Sequence, residues 1–194
     1  MGTQARIALP PWTERLIREL DDSDRRAKEL AGRLSVEQLN WQPAPGSWSV
    51  GQCLEHLSIS NEVYLPSISA ALAENHVAVV AEITPGWFAR WFIRSYIEPS
   101  SQTKRAPAPR KIAPGSKVES SVLDRFLSTN QSARELIRRA AAYDPNRIRF
   151  KNPFIPGLRF TVGTGFEIIC GHERRHLLQG ERVRQSTKFP GAEA

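Results

Sequence analysis

The stretch TGFEIICGHERRHLLQGERVRQ, from Thr164 to Gln185, decides the fold and holds two of the four histidines of the chain. Its apolar and histidine side chains recur every three or four residues, which is the spacing of one face of an α-helix. The residues on that face are Phe166, Ile169, His172, His176, Gly180 and Val183. The pattern predicts an amphipathic helix that begins at about Thr161 or Thr164 and directs both histidines toward the core. Glu167 is placed to close a capping box with Thr164.

Two earlier stretches have the same helical spacing and predict partners for this helix. The first runs from Trp12 to Leu34, with charged residues between its apolar positions. The second begins sharply at Ser49, which forms an S-x-x-Q capping box with Gln52. It continues to about Asn75 and contains Pro66, which is expected to bend or split it.

A third partner helix follows a further capping box, Ser116 to Glu119, and is predicted to end near Tyr143. The stretch NRIRFKNPFIPGLRF, from Asn146 to Phe160, then returns as an extended segment. No stretch alternates with a period of two for long enough to build a sheet. The fold class is therefore all-α, and a four-helix bundle is the architecture that buries four such amphipathic faces.

An aromatic-rich insertion separates the second and third helices of this bundle. PGWFARWFIRSYIEP, from Pro85 to Pro99, is predicted to be a short helix covering one end of the bundle, in preference to a membrane-surface helix, because prolines bound it. The proline-rich stretch 100–114 is expected to be irregular. We expect a single domain over 1–194, with a core at about 12–186, an insertion or loop at 85–114 and a tail at 187–194.

Composition excludes several classes of protein. A chain of 194 residues with 40% hydrophobic and 24% charged residues is expected to bury its own core. The net charge of +7 would suit nucleic acid, but the arginines are dispersed and no nucleic-acid-binding module accompanies them. Because no long apolar run, export signal or C-x-x-C pair is present, we expect a cytoplasmic protein without a membrane span.

A third histidine completes a candidate metal site. His56 lies on the second predicted helix in a row with Cys53 and Ser60, at the inward edge of that helix. Two core-facing imidazoles one helical turn apart, His172 and His176, would be costly to bury without a partner, and a metal ion removes that cost. Side chains of facing helices build such sites in bundles. The alternative is that these histidines only pack and form hydrogen bonds in the core.

The H-E-x-x-H pattern at 172–176 is also the zinc signature of many metalloproteases. The longer protease motif would need a glycine and a histidine at the positions of Gln179 and Arg182. No strand-rich region is available to bind an extended peptide. The residues therefore disfavour a protease.

Four stretches together resemble one family. They are LNWQPAPGSWSVGQCLEHLSISNEVY (39–64), APRKIAPGS (108–116), DPNRIRFKNPF (144–154) and TGFEIICGHERRHLLQGERVRQ (164–185). In motif order and in the position of three histidines, the chain is similar to the DinB-like (YfiT-like) superfamily of bacterial four-helix bundles. The resemblance implies that His56, His172 and His176 bind a divalent metal and leave coordination positions open for water or substrate, as in catalytic sites.

The resemblance also implies a range of activities. Some relatives are thiol transferases that use bacillithiol or mycothiol, and many others are labelled metal-dependent hydrolases. We therefore expect a metal-dependent enzyme that adds a metal-activated low-molecular-weight thiol to a small electrophile. The alternatives are a hydrolase of a small molecule, and a binding module whose metal is structural or vestigial. Zinc or nickel is expected ahead of copper or iron. Folds of this kind often form homodimers, although nothing in this sequence shows one.

Four further residues are candidates for the site. Glu173 follows a predicted ligand, which makes it a candidate catalytic base or a partner of a ligand. One residue along a helix turns about 100°, however, so a surface ion pair with the neighbouring arginines is an equal alternative. Cys53, Asn61 and Tyr64 are candidate pocket groups, with core packing as the alternative for each.

Overall fold

The computed structural model describes residues 9–73, 78–99 and 109–191. His76 follows the predicted end of the second helix at about Asn75 and is therefore not a predicted ligand. It lies outside the described residues, as does the predicted irregular segment at 100–108. Within them the helices are α1 (Pro11–Ala31), α2 (Val36–Asn40), α3 (Val50–Ala73), α4 (Trp87–Phe92), α5 (Val122–Ala140) and α6 (Val162–Arg184). A π-helical turn spans Ile93–Ile97, a 3-10 turn spans Arg110–Ile112, and two strands are β1 (Arg149–Lys151) and β2 (Arg159–Thr161). No helix in the described ranges is both long and apolar enough to span a bilayer.

Helices α1, α3, α5 and α6 form a four-helix bundle, which confirms the predicted fold class. α3 packs against α5 and α6, and α1 packs against the same two helices from the other side. The interior divides into two apolar clusters, a first core that contains Trp12 and Phe166 and a second core that contains Phe126 and Leu177. α1 and α6 run from the first core to the second, whereas α3 and α5 run the other way.

This order of directions explains the long connection between α3 and α5. Both helices run the same way, so the chain must return along the bundle before α5 begins. The α4 helix and the π-helical turn lie on that return, and the π-helical turn packs on α6. The predicted aromatic helix between the prolines is therefore present. It forms part of the crossover.

A layer of polar side chains separates the two cores. Each bundle helix contributes one buried residue to it, namely Ser23 from α1, Asn61 from α3, Asn130 from α5 and Glu173 from α6. These side chains are at most 3% exposed. Buried polar groups are stable only when they are paired, so this layer is held together by its own hydrogen bonds.

The predicted capping box at the start of α3 is confirmed. The backbone N–H of Ser49 donates to Oε1 of Gln52 at 3.0 Å, and the N–H of Gln52 donates to Oγ of Ser49 at 3.1 Å. Pro66 lies inside α3 without dividing it. The first predicted helix is shorter than expected, since α1 ends at Ala31 and a separate short helix, α2, follows.

Two other predicted capping boxes are wrong. α5 begins only after Ser121, because Val118 is buried against α2 and its N–H donates to Asn40 at 2.8 Å. This contact holds the stretch Ser116 to Glu119 outside the helix. At the start of α6 the cap is Thr161, and Glu167 forms an ion pair with Arg15 of α1.

The prediction that the chain forms no sheet is wrong, because the described residues include one short hairpin. β1 and β2 pair antiparallel with Phe150 opposite Phe160. The turn is closed by Asn152, whose Oδ1 accepts the N–H of Phe154 at 2.8 Å, and by Gly157 with a φ of 78°. Three-residue strands are too short to show a period of two in the sequence. The hairpin buries Phe150 against Tyr64 of α3.

The contact between α2 and α3 depends on Gly51. A Cβ at this position would lie 2.2 Å from Cγ2 of Val118 and 2.8 Å from the backbone oxygen of Leu39. We expect Gly51→Ala to lower the free energy of unfolding by about 1–3 kcal/mol, measured by urea denaturation. Gly86→Ala is the matched control, because a Cβ there meets nothing within 4 Å. Equal stability of the two variants would contradict this packing.

Candidate metal centre

Three histidines from two neighbouring helices converge at one point. His56 of α3 faces His172 and His176 of α6, and one ring nitrogen of each lies within 4.8 Å of the other two. Nε2 of His56 and Nε2 of His172 are 3.0 Å apart. Two nitrogens bound to one tetrahedral zinc ion are about 3.3 Å apart. The predicted cluster is therefore confirmed, and its spacing is close to that of a metal-bound set.

Hydrogen bonds from outside the cluster fix the orientation of two rings. Nδ1 of His56 lies 2.7 Å from the backbone oxygen of Ile112, and Nδ1 of His176 lies 3.0 Å from Oε1 of Gln179. Both oxygens can only accept, so each Nδ1 carries the proton and each Nε2 presents a lone pair. This is the arrangement that metal-binding histidines require.

Burial keeps all three histidines neutral. Desolvation lowers the pKa of His56, and for His172 desolvation and the nearby His176 and His56 lower the pKa well below its usual value. The pKa of His176 falls to about 3, mainly through desolvation. Trp48 contributes to this burial, with its ring centroid 4.7 Å from that of His56 and 5.4 Å from that of His176. Neutral imidazole is the form that binds a metal.

These features show that the residues fit a divalent metal ion. Three neutral nitrogen donors on one side suit zinc, nickel, copper or iron. The two cysteines do not take part, since both are buried, Cys170 in the first core, and neither lines the cleft. Desolvation raises the pKa of Cys53 to about 12, which keeps its thiol protonated.

The three histidines line a cleft of about 1510 Å³. One wall comes from α3, where Ser60, Asn61 and Tyr64 line the cleft below His56. The opposite wall comes from α4 and the π-helical turn, and the hairpin closes one end. Asn61 and Tyr64 are thus in the pocket that the sequence predicts for them. They are also buried in the bundle.

The charge lining the cleft has a single sign. Among the described residues, Arg175 and Arg182 line it and no carboxylate does. Burial lowers the pKa of Arg175, whose guanidinium donates to the backbone oxygen of Tyr96. A bound divalent cation would make this surface still more positive, which favours anionic ligands.

Glu173 lies elsewhere, although it follows a ligand directly in the sequence. It is 0% exposed, and it does not line the cleft. Its Oε1 accepts from Asn61 at 3.3 Å and its Oε2 accepts from Asn130 at 3.2 Å. The alternative prediction, a surface ion pair between Glu173 and the neighbouring arginines, is wrong. Arg174 pairs with Glu19 and Glu98 instead, and the side chain of Glu173 lies in the polar layer.

Desolvation raises the pKa of Glu173 to about 7, against hydrogen bonds from Ser23, Asn61 and Asn130 that lower it. The same layer extends to the bundle surface. Asn130 donates to Asp24 at 2.8 Å, and Asp24 pairs with the buried Arg134. A chain of polar contacts thus runs from α1 through α5 to the carboxyl group of Glu173.

Some residues of the site were not predicted. Gln179 could have been found, because it lies one turn after His176 on the same helix. Trp48 is part of the stretch that carries the family resemblance, but its contact with the rings depends on the fold. Ile112 acts through its backbone oxygen, so no side chain could have indicated it.

Gln179 offers a test of the ligand orientation. Gln179→Leu is expected to weaken zinc binding about 10- to 100-fold, because Nδ1 of His176 loses its acceptor. A titration against a competing chelator measures the affinity. Gln131→Leu is the matched control, since Gln131 is an exposed residue of α5 that bonds only to Glu135 among the described contacts. Unchanged affinity in Gln179→Leu would show that this bond does not support the ligand.

The fold and the site define a helical bundle with a three-histidine centre beside an open cleft. The family model of the DinB superfamily matches residues 19–179, and the chain belongs to this superfamily. A solved structure, YfiT from Bacillus subtilis, has the same fold, with a TM-score of 0.57 and 14% sequence identity over 94% of this chain and 92% of that one. It is described as a probable metal-dependent hydrolase with an unusual four-helix bundle topology. Among curated proteins, none matches this chain significantly.

Proposed function

We propose that the protein is a metal-dependent enzyme acting on a small molecule, in which His56, His172 and His176 hold one divalent ion, zinc or nickel. The observation that carries this proposal is the convergence of three neutral imidazoles beside an open cleft. A closed structural site would surround the ion with four protein ligands, whereas three ligands leave room for a reactant.

A metal ion bound there supplies Lewis acidity, which lowers the pKa of a coordinated water or thiol. The side chains and backbone of the protein orient the metal ligands and bind the substrate. Ile112 and Gln179 hold the rings of His56 and His176 through Nδ1. Arg175 and Arg182 attract an anionic group of the substrate to the same cleft.

The reaction we favour is transfer of a low-molecular-weight thiol to a small electrophile. In this reaction the thiolate sulfur forms a bond to the electrophilic carbon, and the leaving group departs with the bonding electrons. Two observations support it. No carboxylate of the described residues lines the cleft to act as a base, and a thiol bound to the metal would lose its proton to solvent water without one. The cleft, at about 1510 Å³, exceeds the usual 300–1,000 Å³ of a site for one small ligand.

Hydrolysis of a small molecule is the second candidate, and the description of YfiT favours it. A nucleophilic water would take the place of the thiol, and the other roles would be unchanged. In either reaction the role of Glu173 as a catalytic base stays a prediction. Its carboxyl group accepts hydrogen bonds in the polar layer and does not line the cleft.

The experiment uses untagged, zinc- or nickel-loaded protein. It is incubated with bacillithiol or mycothiol and an aryl halide, and separately with a panel of esters, amides and lactones. Thioether formation that chelation abolishes supports the transferase, and metal-dependent hydrolysis without added thiol supports the hydrolase. The variant with alanine at all three histidines gives the background. Metal binding without turnover above that background in either series would favour a binding module instead.

A further inference from the structure

The crossover between α3 and α5 places an unusual group of side chains beside the metal centre. Helix α4 and the π-helical turn, residues 87–97, are here called the aromatic segment. Phe88, Trp91, Phe92 and Tyr96 line the cleft, whereas Trp87 does not. One side of the segment therefore belongs to the same cavity as the three histidines.

The rings of the aromatic segment form a continuous surface. Ring centroids are 5.7 Å apart for Phe88 and Trp91, 5.8 Å for Trp91 and Tyr96, and 5.5 Å for Phe92 and Tyr96. Phe92 also lies 5.3 Å from Phe160 of the hairpin. These are the separations of interacting aromatic pairs. The result is a wall of rings.

The wall is fastened to the turn of α6 that carries the ligands. A Cβ on Gly171 would lie 2.9 Å from Cγ2 of Ile97, so only glycine allows this close approach. Arg174 forms an ion pair with Glu98, and Arg175 donates to the backbone oxygen of Tyr96. These three α6 residues lie within three positions of His172 in the sequence. The position of the wall is therefore fixed relative to the metal centre.

The outer part of the wall is exposed. Trp91 is 45% exposed and Phe88 is 39% exposed, and Ile155 on the hairpin side of the cleft is 39% exposed. All three line the cleft. Large apolar side chains grouped around a concave surface are typical of a ligand-binding groove. The π-helical turn also supports a binding role for this wall, because such turns occur often at functional sites.

We infer that the wall formed by Phe88, Trp91, Phe92 and Tyr96 is a subsite for a flat, apolar arm of the substrate. The other end of this substrate carries an anionic group that binds the metal. This inference rests on the proposed metal centre. The wall supplies stacking surface for the arm. The centre and the two arginines of the cleft supply the positive charge for the head group.

The test uses two hydroxamates with the same metal-binding head, acetohydroxamate and 2-naphthohydroxamate, and the zinc-loaded full chain. Isothermal titration measures both affinities. We expect the naphthyl compound to bind at least about 10-fold more tightly than the acetyl compound, and Trp91→Ala to remove most of that difference. Acetohydroxamate binding should stay within about 2-fold in this variant, which also shows that the protein is folded and loaded.

Trp87→Ala is the matched control, because Trp87 is 76% exposed and lies on the same helix outside the cleft. It should leave both affinities unchanged. Equal affinity of the two hydroxamates for the unmodified protein, or an equal effect of both tryptophan variants, would overturn the subsite. If neither compound binds the zinc-loaded chain, the ion offers no open coordination position, and both the open metal centre and the subsite are wrong. Discrimination between the compounds without any turnover would support the subsite and count against the proposed enzyme.

Discussion

His172→Ala is expected to abolish tight binding of a divalent metal. The substitution leaves two of three nitrogen donors, and the remaining pair comes from different helices. Loss of an orienting partner already costs metal sites about 10- to 100-fold in affinity, so loss of a ligand should cost more. Elemental analysis of untagged protein and chelator competition measure the effect. His56→Ala and His176→Ala are expected to behave in the same way.

His76→Ala is the matched control, because the sequence leaves His76 outside the site. It should retain the metal content of the unmodified chain. If the His172 variant kept the same affinity as this control, the metal would have to bind elsewhere. A loss of metal in both variants would point to misfolding, which the melting temperature of each metal-free variant reveals.

Glu173→Ala is expected to lower the free energy of unfolding by about 3–5 kcal/mol, with the protein free of metal. Glu173 accepts hydrogen bonds from Asn61 and Asn130 between the two apolar cores. Removing it takes one buried acceptor from each of these amides, which leaves Asn130 with Asp24 and Asn61 with Asn130. It also opens a cavity between the two cores. Urea denaturation gives the change directly.

Glu173→Gln separates a structural role from a catalytic one. The amide fills the same volume, but it has one acceptor oxygen for the three donors Ser23, Asn61 and Asn130, so a loss of about 1–3 kcal/mol is expected. A general base would instead show a 10²- to 10⁴-fold fall in turnover, on the order of its usual contribution, with stability unchanged. Full stability of both Glu173 variants would contradict the role of the polar layer.

The helices could be predicted because each has a continuous apolar side. The spacing in α6 placed His172 and His176 together, and His56 on α3 was found by the same spacing. Glu173 was harder to place. An angle of 100° from His172 indicates an exposed side chain only if a helix has one buried side. α6 packs against both α1 and α3, so it has two, and Glu173 lies on the second.

Features that depend on contacts distant in the sequence could not be predicted. The stretch Ser116 to Glu119 has the residues of a capping box, but the burial of Val118 against α2 prevents it from starting a helix. The hairpin has strands too short to leave a pattern. The position of the aromatic segment follows from the parallel directions of α3 and α5, which local spacing does not encode.

X-ray absorption spectroscopy of the zinc-loaded protein tests the central claim most directly, because it reports the atoms around the ion. The account predicts nitrogen or oxygen neighbours at about 2.0–2.1 Å, with the outer-shell scattering of three imidazoles. In the variant with alanine at residues 56, 172 and 176 this signal should be absent. A sulfur neighbour at about 2.3 Å, or an unchanged spectrum in that variant, would contradict the three-histidine centre.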